Sequence, residues 1–196
     1  AMASGESRWI TGEAARADVH RWRARSGALV SGIGTVLADD PSFTVRLPDA
    51  DAPPGGWRQP LRVVLDPRLS MPENARMLRL PGRTLVATAD PGEGPAQRLR
   101  AAGATVLRMP SGLDAVDLLT LLEYLAAEEQ INEVLVETGA TLSGAFLRAG
   151  LVDELLLYVA PHFMGDGARG LLHLPGLERM DQRVELEIAD VRAVGD

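Results

Sequence analysis

Short runs of β-forming apolar residues alternate with stretches of helical period along this chain. That alternation constrains the fold more than any other feature. Strands separated by helices cannot pair as tight hairpins, so they must lie parallel and connect through crossovers. Residues 28–31, 61–66 (stopped by Pro67), 84–88, 105–107 and 133–137 read as strands. Helices are expected at 12–25 with Thr11 as N-cap, 95–102 with Pro95 in the first turn, 115–128, and 141–149 ended by Gly150. Two further strands are expected late in the chain. Residues 154–160 are strongly apolar, and residues 184–194 alternate apolar and charged side chains as an edge strand would. The Pro/Gly-rich stretch 48–60 reads as an exposed loop, too short to divide the chain. The expected class is a single α/β domain built on a mostly parallel sheet.

Composition narrows the chemistry. The chain has 196 residues, a net charge of −7 and no cysteine, and all 20 of its basic residues are arginine. Without cysteine there are no disulfides, iron–sulfur clusters or thiolate zinc sites, which suits a cytoplasmic enzyme. Without lysine there is no Schiff-base chemistry and no Walker loop. Acidic charge argues against nucleic acid as partner, and no apolar run is long enough to span a membrane. Arginine still provides planar forks for a small phosphorylated ligand. No metal-ligand spacing appears, and His20, His162 and His173 are given no role.

Three segments carry candidate chemistry. Gly32-Ile33-Gly34 begins like a dinucleotide fingerprint, but Leu37 stands where the third glycine belongs, so a tight turn is the better reading. Glu137-Thr138-Gly139-Ala140-Thr141-Leu142-Ser143-Gly144 links a strand to a helix. One reading gives it a pyrophosphate on backbone N–H groups, with Gly139 and Gly144 leaving room for the ligand. The other is a helix capped by Thr138 or Thr141 and packed closely through Gly144. In the third segment Asp39 and Asp40 precede Pro41. They read either as a turn, the first acid bonding nearby N–H groups, or as a carboxylate at a cleft mouth with Arg46 reaching for an anion.

The opening A-M-A-S-G-E-S-R-W-I-T, T-V-L-A-D-D-P at 35–41, V-E-T-G-A-T-L-S-G at 136–144 and L-V-D-E-L at 151–155 occur in order over nearly the whole chain. Together they resemble the reductase half of the bifunctional deaminase–reductase of riboflavin biosynthesis. The resemblance implies a dihydrofolate-reductase-like fold, a twisted, mostly parallel sheet flanked by helices, with NADPH across the strand ends. It implies reduction of 5-amino-6-(5-phosphoribosylamino)uracil to the ribitylamino compound. It places Trp9, Thr35, Asp39 and Gly139, Ala140, Thr141, Leu142, Ser143, Gly144 and Ala145 at the cofactor. Ser7, Arg23, Phe43, Arg46 and Glu137 fall at the substrate. It further implies a homodimer or higher homo-oligomer.

Within that resemblance, Asp39 is the first candidate for proton transfer at the opening ribosylamine, with Glu137 holding the pyrimidine or a hydroxyl. Arg23 and Arg46 suit the substrate phosphate. Relatives place a small polar residue after the position of Asp66, where this chain has Pro67, and Arg68 is read as reaching an adenosine 2′-phosphate. Relatives also carry a strand before the opening segment, another after residue 194, and a separate zinc deaminase domain. The chain is therefore expected to be a reductase domain cut at both ends, without the deaminase. Two alternatives stand beside it: a reductase of the same fold acting on a pterin or another pyrimidine, and a non-catalytic domain that binds nucleotide or supports dimerisation.

Overall fold

The computed structural model describes residues 9–89, 92–109 and 115–195. Five strands form one parallel sheet: β1 (Ala28–Gly32), β2 (Leu61–Leu65), β3 (Thr84–Thr88), β4 (Thr105–Arg108) and β5 (Val134–Val136). Their spatial order is β4-β3-β2-β1-β5. The chain steps outward from β1 to β4, then returns to lay β5 on the other side of β1. Both edges of the sheet are thus late strands, and the oldest strand in chain order lies inside. Register is set by pairings such as Val30 with both Val63 and Val136.

The three inner strands, β1, β2 and β3, are buried on both faces, which is why they read as apolar runs rather than as alternations. Ala28, Val30, Val63, Leu65, Leu85 and Ala87 face α4 (Leu118–Ala127) and α5 (Ala140–Arg148) through Leu121, Leu125 and Phe146. Leu29, Val64 and Val86 point the other way, toward α2 (Ile33–Asp39) and α3 (Glu93–Ala101) through Val36, Ala96 and Leu99. The helix α1 (Glu13–Arg25) precedes the sheet and starts from Gly12 without a side-chain cap. Thr11 is not that cap; its carbonyl instead accepts a hydrogen bond from Arg16 at 2.6 Å. In α4 the Asp117 carboxylate does cap the helix, accepting from the Thr120 N–H at 2.7 Å.

In two places the structure differs from the expected elements. Gly32-Ile33-Gly34 is not a turn but the start of α2, whose Val36 is buried against Leu29. Seven residues are too few to display a helical period, so the pattern was not visible. The segments 154–160 and 184–194 form no strand. Apolar alternation sets which side chains share a face, but a strand also needs a neighbouring edge to bond with, and neither segment pairs with β4 or β5. Their apolar side chains stand out instead, Val159 being 81% and Ile188 79% exposed.

This late segment nevertheless docks on the helices. The Tyr158 hydroxyl donates to the buried Asp18 carboxylate of α1 at 2.7 Å, and burial with that carboxylate pushes the phenol up to about 12. The His173 N–H donates to the Ala140 carbonyl at 3.0 Å, strapping the chain across the start of α5. At Gly144 a side chain would overlap the His173 carbonyl oxygen, so glycine is required for this crossing. Gly144→Ala should therefore cost about 1–3 kcal/mol, as overpacking does. A denaturant melt checks this, and an unchanged midpoint would mean that the strap yields freely.

Candidate functional site

The strand order reverses between β1 and β5, which lie parallel side by side, and this marks a topological switch point. In open parallel sheets ligands bind beyond the carboxyl ends of the strands at such a switch point, where the following helices leave on opposite faces. Here α2 follows β1 onto one face and α5 follows β5 onto the other. Gly32 ends β1, and its N–H donates to the Thr138 hydroxyl at 3.3 Å. A side chain at Gly32 would press on Leu142 of α5 at 3.3 Å. The two loops are thereby drawn together, and Thr138 serves this junction rather than capping α5.

Glu137 leaves β5 with its N–H on the Val30 carbonyl at 3.0 Å, which holds it beside the end of β1. Its carboxylate receives a bidentate guanidinium, Arg23 Nε at 2.7 Å and Nη2 at 2.6 Å. The pair is mostly buried, with side chains 12% and 22% exposed. Arg23 Nη1 donates to the Thr44 carbonyl at 3.1 Å, and the guanidinium lies 5.9 Å from the Phe43 ring centre. Three of the five guanidinium N–H donors are thus engaged, leaving two for a ligand. A residue on α1 hence ties β5 to the 43–46 arm.

That arm is shaped by the acids before it. Asp40, not Asp39, anchors the turn: it caps α2 in the left-handed region at φ 40°, and its carboxylate accepts the Arg76 N–H at 2.8 Å. This corrects the expectation that the first acid would bond the backbone. Asp39, the last residue of α2, is exposed, and among the described residues nothing holds its carboxylate. Phe43 is buried yet also left-handed at φ 48°, a costly backbone for a bulky residue that marks a constrained segment. Gln59 fixes the arm further, accepting the Val45 N–H at 2.8 Å. Arg46 projects exposed at its end, with its N–H on His20 Nδ1 at 3.3 Å.

No metal spacing surrounds His20, so metal-ligand patterns point to no role for it. It stands three residues before Arg23 on one helical face, the signal that would have found it. Burial, then the charges of Arg23 and Arg46, pull its imidazole down to about 4, against an opposing bond to the Thr44 backbone. A folded-state value below the unfolded 6.5 means that the unfolded chain takes up a proton first. Stability should therefore fall as pH drops from about 6.5 toward 4. His20→Asn should flatten this part of the profile, seen as a wild-type-minus-variant difference in urea midpoints. Parallel profiles would contradict it.

The cofactor candidates lie at the neighbouring helix start. α5 begins from Gly139 with no side-chain cap bond, and a side chain at Gly139 would meet open space. Ala140, Thr141 and Leu142 form its first turn, Leu142 packing inward on the core. Ser143 and Ala145 are half-buried, while Gly144 is filled by the His173 strap and leaves no room for a ligand at its Cα. Thr35 is half-buried in the first turn of α2. Trp9 is 73% exposed beneath the Arg16 guanidinium, 4.4 Å from its ring centre. Arg68 is exposed just beyond β2, on a turn organised by the buried Asp66, whose carboxylate accepts from Ser70 and the Met71 N–H. Ser7 lies outside the described residues. Among the described residues no cluster of His, Asp and Glu is arranged to hold a metal, and no helix is long and apolar enough to cross a membrane.

Comparisons with known proteins agree with this architecture. The riboflavin biosynthesis protein RibD of Escherichia coli K12 is 42% identical over 203 residues, covering all of this chain and 53% of that protein. A solved structure of Acinetobacter baumannii RibD superposes with a TM-score of 0.86 at 41% identity, covering 99% of this chain and 51% of the other. The chain thus spans about half the length of these relatives. The Saccharomyces cerevisiae riboflavin biosynthesis reductase Rib7 matches with a TM-score of 0.67 over 86% of this chain and 74% of its own, and at 22% identity it shares the fold alone. That fold is the dihydrofolate-reductase-like α/β arrangement, a parallel sheet flanked by helices. The RibD C-terminal domain family matches residues 1–196, and the chain belongs to that family.

Proposed function

We propose that this chain is an NADPH-dependent oxidoreductase of riboflavin biosynthesis that reduces 5-amino-6-(5-phosphoribosylamino)uracil to 5-amino-6-(5-phosphoribitylamino)uracil. The observation that carries the reading is the Glu137 carboxylate, held by Arg23 at the β1–β5 switch point beside the uncapped start of α5. Membership of the RibD C-terminal domain family supports the substrate.

The site residues fit the cofactor. Open space at Gly139 allows a pyrophosphate to approach the backbone, and the N–H groups of the first turn of α5 suit its charge. Thr35 and Trp9 would flank it, and Arg68 would meet the 2′-phosphate. When bound, NADPH supplies the hydride for the imine carbon C1 of the opened ribosylamine.

The remaining tasks fall to the chain. Glu137, oriented by Arg23, accepts hydrogen bonds from the pyrimidine or a ribosyl hydroxyl. Phe43 walls the substrate beneath the guanidinium, Ser7 adds a polar contact, and Arg46 binds the phosphate. Asp39 stabilises positive charge at the imine nitrogen or passes it a proton. The same reading makes the protein a cytoplasmic homo-oligomer, and the exposed apolar residues Val159, Ile188 and Val191 support self-association.

The test follows NADPH absorbance on adding the substrate to purified protein, against a pterin control. Oxidation with the ribosylaminouracil and not the pterin is expected; the reverse preference overturns the assignment. Gly139→Val should leave the melting temperature in place, because its Cβ meets nothing, yet weaken NADPH binding by about tenfold or more, the scale of one lost charge-assisted contact. An unchanged affinity in a fluorescence titration would remove the cofactor from α5.

A further inference from the structure

His20 sits where three elements of the site meet. It lies on α1, one turn from Arg23, and its Nδ1 accepts the Arg46 N–H at 3.3 Å. The ring is also within hydrogen-bond reach of the Thr44 backbone, whose carbonyl takes Arg23 Nη1 at 3.1 Å. Arg23 thus holds the arm at Thr44, and the imidazole adds the one link from α1 to the backbone of Arg46 among the described residues. Arg23 and Arg46 both act on it electrostatically, so both cationic groups lie close to it. Among the described residues, the carboxylate at this junction, Glu137, is already committed to Arg23. A third positive charge between two guanidiniums would be repelled, and the ring accordingly stays neutral and keeps its acceptor for the N–H.

We propose that His20 is a positioning residue for substrate phosphate recognition: by holding the Arg46 backbone to α1, its imidazole aims Arg46 at the phosphate monoester. The proposal rests on the reading of Arg46 as the phosphate contact. A long, exposed arginine on an unheld arm would lose affinity to the entropy of ordering, and a fixed backbone removes part of that cost. His20 touches neither the reacting carbon nor the cofactor in this scheme, so its effect falls on substrate affinity alone.

The test compares KM and kcat for the phosphorylated substrate and its dephosphorylated counterpart, with the cofactor affinity measured alongside. His20→Phe should raise KM for the phosphorylated substrate about fivefold, the equivalent of one neutral hydrogen bond. It should leave kcat, cofactor affinity and the dephosphorylated KM within about twofold. His20→Asn, whose amide oxygen can stand where Nδ1 does, should restore the wild-type KM. Equal losses for both substrates, or none for either, overturn the proposal. If His20→Phe fails to fold, His20→Gln, which places its amide at the far side of the ring and not at Nδ1, should show the same selective loss. Wild-type selectivity in that variant is equally fatal. Arg46→Ala separates the two levels of the argument. If it abolishes the phosphate preference while the His20 variants keep it, only the positioning role falls. If the wild type shows no preference or Arg46→Ala loses none, the phosphate reading falls and the His20 proposal with it.

Discussion

Asp39→Asn should lower the single-turnover rate of NADPH oxidation by about 10²–10⁴-fold, the usual contribution of a positioned proton-transfer group. The melting temperature should hardly move. Asp39 ends α2 exposed and without a partner among the described residues, and a carboxylate at a helix C-terminus gains nothing from the helix dipole. Its neighbour gives the contrasting result. Asp40 anchors the turn through the Arg76 N–H, so Asp40→Asn bears on the fold, not on the chemical step. An Asp39→Asn protein that turns over at wild-type rate would leave the reaction without its proposed acid.

The second large effect belongs to Arg23 and Glu137. Removing one partner of a buried ion pair strands the other, and Glu137→Ala should destabilise the fold by about 3 kcal/mol, the low end for such pairs, since both side chains retain some exposure. For a domain of this size that is roughly 6–12 °C in melting temperature. Arg23→Ala should cost a similar amount and also free the Thr44 carbonyl. The double variant should cost clearly less than the sum, with a coupling of about 1–3 kcal/mol. Strict additivity would mean that the pair does not act as one unit. Both single variants should also lose activity, because the pair sets the carboxylate beside the end of β1.

Much of this organisation was legible in the residues because burial writes itself into composition. The strands at 61–65 and 84–88 are mostly apolar, since each is covered on both faces, with Arg62, Thr84 and Thr88 as their buried polar members. The helix expected at 141–149 and found at 140–148 was legible from Gly150 placed to end it, in the left-handed region at φ 67°. The pairing of Arg23 with Glu137 was not legible. The two residues are 114 positions apart, and only the return of β5 to the side of β1 makes them neighbours. For the same reason both were separately readable as substrate contacts, while their bond to each other was invisible. Gly144 was ambiguous in sequence between a ligand's approach and close packing, and the His173 backbone decides for packing. The late strands at 154–160 and 184–194 failed because an apolar run or an alternation reports burial and face, not a pairing partner.

The proposed reaction delivers a hydride to C1 of an opened ribosylamine at the β1–β5 switch point. The most direct measurement runs one turnover with NADPH deuterated at the transferring C4 position and locates the label by mass spectrometry and NMR. The account predicts one deuterium on C1 of the new ribityl chain, and no labelled product from the Asp39→Asn protein on the same timescale. Oxidation of the cofactor with no deuterium at C1, or with the label elsewhere in the product, would contradict it.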